Sequence, residues 1–130
     1  MQEEEMLVFT FFLLLLGLFE IISNLIHLSK KTTDEIGKSA RRQHQEIPLS
    51  LANKHFFWKA IIMLVFGLLF LAAALLLLFK LPEMLPFTWF VTSAFGLYGM
   101  VQALIYHREI KVWPAMLVYN LPLIIYIFLS

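Results

Sequence analysis

Cysteine is absent from this 130-residue chain, charged residues make up only 15% of it, and the formal net charge is +1. Without thiols there are no structural disulfides, no thiolate metal sites and no thiol redox chemistry. A net charge this close to zero says little in sum, so the positions of the charges carry the information. The chain also lacks a nucleic-acid recognition fold with interleaved aromatics, and nucleic acid is not expected as a partner. No cofactor motif is present, and none is expected to bind.

What the chain has in abundance is apolar surface, with 61% of its residues hydrophobic. A chain of this length cannot hide so much in one small soluble core, and lipid is its expected solvent. Four apolar runs cover about residues 6–28, 56–79, 87–106 and 112–129. Each is near the ~20 residues needed to cross ~30 Å of hydrocarbon at a rise of ~1.5 Å per residue. The expected fold is therefore all-α, a single membrane domain built as a bundle of four transmembrane helices.

The first run follows Met1-Gln2-Glu3-Glu4-Glu5, which is acidic where a secretory signal would be basic. It ends without small residues at a cleavage site, so this helix is expected to be retained. Lys59 is the one charge in the second run, near its entrance, where its stem can reach the interface. Pro82 and Pro86 force a short turn before the third run.

Orientation follows from the basic residues. Lys30, Lys31, Lys38, Arg41, Arg42, Lys54, Lys59, Arg108 and Lys111 fall on one side of the implied weave and only Lys80 on the other. The positive-inside rule then places both chain ends outside the cytoplasm, with the basic loop of residues 29–55 and the 107–113 turn inside. Trp58 and Trp113 would mark the inner interface and Trp89 the outer one. The expected location is a plasma or bacterial inner membrane.

Residues 29–55 alone have soluble character. Thr33-Asp34-Glu35 suits the start of a short helix that pairs Asp34 with Lys38 at i,i+4 and ends before Pro48. The segment reads either as a solvated connector touching anionic headgroups or as a docking surface for an anionic partner. The shared pattern of His44-Gln45-Glu46-Ile47 and His107-Arg108-Glu109-Ile110 is short enough to be chance. No interrupted helix pair of the kind found in inverted-repeat transporters is present.

Polar residues within the apolar runs are costly in lipid and so point to a site. Glu20, Asn24 and His27 lie within roughly 60° of one another at ~100° per residue, with Gly17 and Ser23 on the flanks. Thr88, Thr92, Phe95, Gly99, Gln102 and Tyr106 share a second stripe. Asn120 sits within a turn of Pro122, whose missing N–H deprives the Val118 carbonyl of its helical donor. Counted from the cytoplasmic ends, Glu20, Asn120, Gln102 and Tyr98 all fall in the inner half of the bilayer. With His27, His55, His107 and Lys59 at the mouth, they predict a polar pocket open to the cytoplasm and closed by Leu, Phe and Met beyond. The candidate ligand-binding or coupling residues are Glu20, Asn24, His27, Lys59, Tyr98, Gln102, Tyr106 and Asn120.

Packing competes with function for these residues. Asn, Gln, Ser and Thr hydrogen-bond between membrane helices, and Gly99 with Ala103 has the small-xxx-small spacing of close crossings. Glu20 is the exception, because a carboxyl at its depth must be protonated, paired or wetted. Bis-His haem ligation does not fit histidines gathered at one interface. Neither the His and Glu spacings nor the Ser23/His27 pair forms a metal or nucleophile motif, so catalysis is the less favoured class. The expected function is non-catalytic binding of a lipid or apolar small molecule, or an accessory role in a membrane complex. The alternative is a proton- or cation-coupled transporter using Glu20, as an oligomer. Membrane lipid is the expected partner, with either a membrane-protein partner or a second copy of the chain beside it.

Overall fold

Each apolar run forms a helix in the computed structural model, which describes residues 2–43, 52–107 and 111–130. The helices are α1 (Glu3–Leu28), α2 (Thr33–Gln43), α3 (Asn53–Leu78), α4 (Met84–Tyr106) and α5 (Val112–Leu129), with no strand among the described residues. α1, α3, α4 and α5 are long and apolar enough to span a membrane. The all-α, four-span expectation therefore stands, with α2 as an additional short helix.

α1, α3 and α4 begin at residues 3, 53 and 84, each a turn before its apolar run. Hydropathy marks where hydrocarbon begins, whereas a helix continues as long as its backbone bonds do. The Gln2 N–H donates to Glu5 Oε2 at 3.3 Å, and Glu3, Glu4 and Glu5 occupy the first turn of α1, where negative charge suits the helix dipole. Pro86 is tolerated in the first turn of α4 because N–H groups there have no helical acceptor.

The turn between α3 and α4 needs more than its prolines. Lys80 adopts a left-handed φ of 52°, the Leu81 N–H donates to the Leu76 carbonyl at 3.0 Å, and the Lys80 N–H donates to that of Leu77 at 3.3 Å. These are the two bonds of a Schellman cap, made here by a lysine where glycine is usual. The Lys80 ammonium then lies 3.2 Å from Glu3 Oε1, tying the end of α3 to the start of α1.

Packing divides the helices into pairs. α1 lies along α3, α4 lies along α5, and α3 joins the pairs through its contacts with α4. A Cβ on Gly17 would stand 2.9 Å from the Gly67 carbonyl, and one on Gly67 would stand 3.0 Å from the Ile21 nitrogen. The two backbones therefore meet with no room for a side chain, as small residues permit in membrane helices. On the other side, a Cβ on Gly96 would collide with the Asn120 side chain and one on Gly99 with that of Tyr119. Gly99 and Ala103 are both buried, but Gly96 and Gly99 set the closest α4–α5 approach.

The main core occupies the end that holds the α3–α4 turn. Phe9, Leu13, Phe70, Ala73, Leu77, Val91, Phe95 and Tyr126 are buried together there. Phe9 stacks on Tyr126 with ring centroids 5.4 Å apart, joining α1 to α5, and Trp89 adds an edge contact at 4.7 Å. At the opposite end α2 folds back over α1 and α3. Ile36, Gly37 and Ala40 are its buried residues; Ala40 packs with Phe56, Ala60 and Leu28, and Arg41 lies 4.8 Å from the centre of the Phe56 ring. Asp34 pairs with Lys38 at 3.3 Å as expected and accepts a 2.9 Å bond from the Asn53 amide at the start of α3. That bond, and then Lys38, holds the Asp34 carboxyl below the usual carboxylate range. Pro48, the 44–47 motif and residues 108–110 lie outside the described residues.

Candidate functional site

α1 and α5 touch at the Phe9–Tyr126 stack and share few other contacts, and between them lies a cavity of about 310 Å³. α1 contributes Phe12, Leu16, Glu20 and Asn24. Their spacing of four puts them on one helical face over about 18 Å of axis. α3 supplies Lys59, Ala60 and Met63, α4 supplies Phe95, and α5 supplies Val118, Tyr119, Leu121 and Pro122. The lining is apolar beside Phe12 and Leu16 and becomes polar toward α2, where Glu20, Asn24 and Lys59 stand.

The polar end is held by a network of short bonds. The Asn24 amide donates to the Glu20 backbone carbonyl at 2.7 Å and to Glu20 Oε2 at 3.1 Å, which fixes the carboxyl against its own helix. Lys59 is only 6% exposed, and its ammonium donates to the Tyr106 hydroxyl on α4 at 3.3 Å. His55 Nε2 lies 2.9 Å from the same hydroxyl, so Tyr106 joins α3 to α4 at two points. Glu20 and Lys59 line one cavity without closing an ion pair; the pairs among the described residues are Asp34–Lys38 and Glu3–Lys80. Gln102 is buried beside His55, and its Oε1 has no hydrogen-bond partner among the described residues.

The eight candidate residues part into three groups. Glu20, Asn24 and Lys59 line the cavity, and Tyr106 and Gln102 stand behind Lys59 and His55. Tyr98 packs against Phe66 and Tyr119 with centroids 5.6 and 6.2 Å away, and so supports the wall. Asn120 and His27 are turned elsewhere. The Asn120 amide donates to the Met116 carbonyl at 2.8 Å and its oxygen lies against Gly96, which makes it an α4–α5 contact. His27 Nδ1 lies 2.8 Å from Ser39 Oγ on α2. The expected α4 stripe does face inward, yet Thr88 and Thr92 give their hydroxyls to the carbonyls of Met84 and Thr88 at 2.6 and 2.8 Å. That satisfies them locally and removes them from the site.

At the α2 end, where the sequence places the opening, the cavity is lined by Glu20, Asn24 and Lys59. Ala40 of α2 is part of its lining there, whereas Val118 and Leu121 are 64% and 40% exposed. An exposed rim of the cavity therefore lies between α1 and α5, facing outward from the bundle. Tyr119, Met63, Phe12 and Ala40 were missed in the sequence because apolar and aromatic side chains in a lipid-soluble chain carry no polar signal. The four-residue spacing of Phe12 and Leu16 with Glu20 and Asn24 was the one available hint.

Among the described residues, no three His, Asp or Glu side chains come together as a metal-ligand set. The site offers a carboxyl, an ammonium, an amide and an aromatic wall, which suit binding an amphiphile better than activating a nucleophile. Comparisons with protein-family models, with curated proteins and with solved structures gave no match for this chain. Its architecture is that of a multi-pass integral membrane protein.

Proposed function

We propose that this protein binds a lipid or lipid-like small molecule, which enters sideways from the bilayer between α1 and α5. The observation that carries this reading is the graded lining of the cavity, apolar from Phe12 to Leu16 and polar at Glu20, Asn24 and Lys59, with its exposed rim at Val118 and Leu121. A pocket of this volume and composition suits a molecule with an apolar tail and a small polar end. The excess of basic residues beside α2 supports placing that face in the cytoplasm, so that the polar end of the ligand would lie toward the inner headgroups.

The experiment is cross-linking in vesicles with a single-chain lipid carrying a photoactivatable group near the end of its tail. Adducts should concentrate on residues 12–16 and 118–122, and Val118→Trp, which narrows the rim from its exposed side, should remove them. Labelling spread evenly over the exposed faces of all four long helices, unchanged by Val118→Trp, would count against a binding cavity.

A second reading, coupled transport, is favoured by the chain from His55 through Tyr106 to Lys59, which leads into the cavity that holds Glu20. Four spanning helices suit such a role in an assembly of copies. pH-dependent substrate flux in vesicles that Glu20→Gln abolishes is its test.

A further inference from the structure

We propose that the cavity selects a single-chain lipid with an uncharged, hydroxylated head group, whose hydroxyls bridge Glu20 and Lys59. This rests on the reading of the cavity as a lipid site. Glu20 and Lys59 are the two ionisable carboxyl and amine groups in the lining, and they are not joined to each other. Their formal charges cancel if both are ionised, and the sum is still zero if a proton passes from lysine to carboxylate. A charged head would gain one partner and face one opponent in a mostly apolar lining that screens neither. A hydroxyl donates to a carboxylate and accepts from an ammonium with the same oxygen, so it satisfies both without adding charge.

Bonding capacity fits this assignment. Lys59 has three N–H donors, and Tyr106 accepts from it on the α4 side, while the residue also lines the cavity. Asn24 takes up Glu20 Oε2, which leaves Oε1 as an acceptor with no bond to Asn24. Tyr119 lines the cavity within electrostatic reach of Glu20 and adds one more hydroxyl to the head-group end. The tail would run along the face of Leu16 and Phe12 toward the Phe9–Tyr126 stack, where α1 and α5 close.

The test keeps the acyl chain constant and changes only the head. Purified protein in detergent micelles is titrated with 1-monooleoylglycerol, oleate and oleylamine, and bound lipid is read by native mass spectrometry. Monooleoylglycerol should be retained at least tenfold better than either charged probe, and Val118→Trp should abolish the difference. Glu20→Gln preserves the side-chain shape and an acceptor for Asn24 but leaves the lysine unbalanced, so preference should move toward oleate by at least tenfold. Lys59→Gln, with helicity confirmed by circular dichroism, should move it toward oleylamine. A wild-type preference for oleate or oleylamine, or no shift in Glu20→Gln, overturns the neutral-head proposal while leaving the lipid cavity standing. Equal retention of all three probes by the wild type and by Val118→Trp overturns both.

Discussion

Lys59 on α3 gives a hydrogen to the Tyr106 hydroxyl on α4 at 3.3 Å, and its ammonium lies 5.0 Å from the centre of the same ring. A charge carried by one helix is thus held by another, through the hydroxyl. α3 meets α4 over a smaller surface than it meets α1, so this contact is one of relatively few that join the two helix pairs.

Tyr106→Phe removes the acceptor of Lys59 and the partner of His55, and is expected to cost about 1–2 kcal/mol of stability. In a Lys59→Met background the same change should cost about 1 kcal/mol less, because no buried ammonium is left behind. Reversible unfolding in mixed SDS and mild detergent measures the cycle. Equal losses in both backgrounds would show that the Lys59–Tyr106 contact contributes nothing.

Gly67→Ala places a methyl 3.0 Å from the Ile21 backbone nitrogen and equally close to Glu20 Cβ. The helices must separate by a few tenths of an ångström, at a cost of about 1–3 kcal/mol. The same unfolding assay should show the loss. A variant as stable as the parent would mean that α1 and α3 pack less closely than described.

α2 should be held somewhat less firmly in acid. The Asp34 carboxyl, lowered by its bond from Asn53 and then by Lys38, favours the docked form when ionised. That contribution is fully present above the free-chain value of about 3.9 and is lost as pH falls through the lower docked value. Protection of residues 33–43 against hydrogen exchange, taken relative to the intrinsic amide rate at each pH, should therefore be constant near neutrality and fall below about pH 4. Asp34→Asn should lose that acid step, and its persistence would assign the step to another group.

The absence of native cysteine makes orientation directly measurable. Single substitutions Gln2→Cys and Ser130→Cys should react with a membrane-impermeant maleimide on intact cells. Lys31→Cys should react only after permeabilisation. The reverse pattern would invert the proposed topology.

Hydropathy located all four long helices, and their C-terminal ends at Leu28 and Tyr106 coincide with the apolar boundaries. The α1 stripe of Glu20 and Asn24 was equally legible, because its angular spacing belongs to one helix and needs no partner. Lys59 was recognisable as a costly charge, but its bond to Tyr106 was not. Asn120 was polar at a suitable depth and His27 was expected at the mouth, and both still turned away, since a residue's own helix does not specify which neighbour its face will meet.

Composition and charge placement by themselves determined the class of this protein, its four spanning helices and its expected orientation, because hydrocarbon thickness and the cost of burying charge act on each segment separately. The pairing of α1 with α3 and of α4 with α5, the return of α2 over one end and the sideways opening between α1 and α5 were decided only in the tertiary structure. Gly17 against Gly67, and Gly96 and Gly99 against Asn120 and Tyr119, show why. Which helices approach depends on how two surfaces fit, and that complementarity exists only once both have formed.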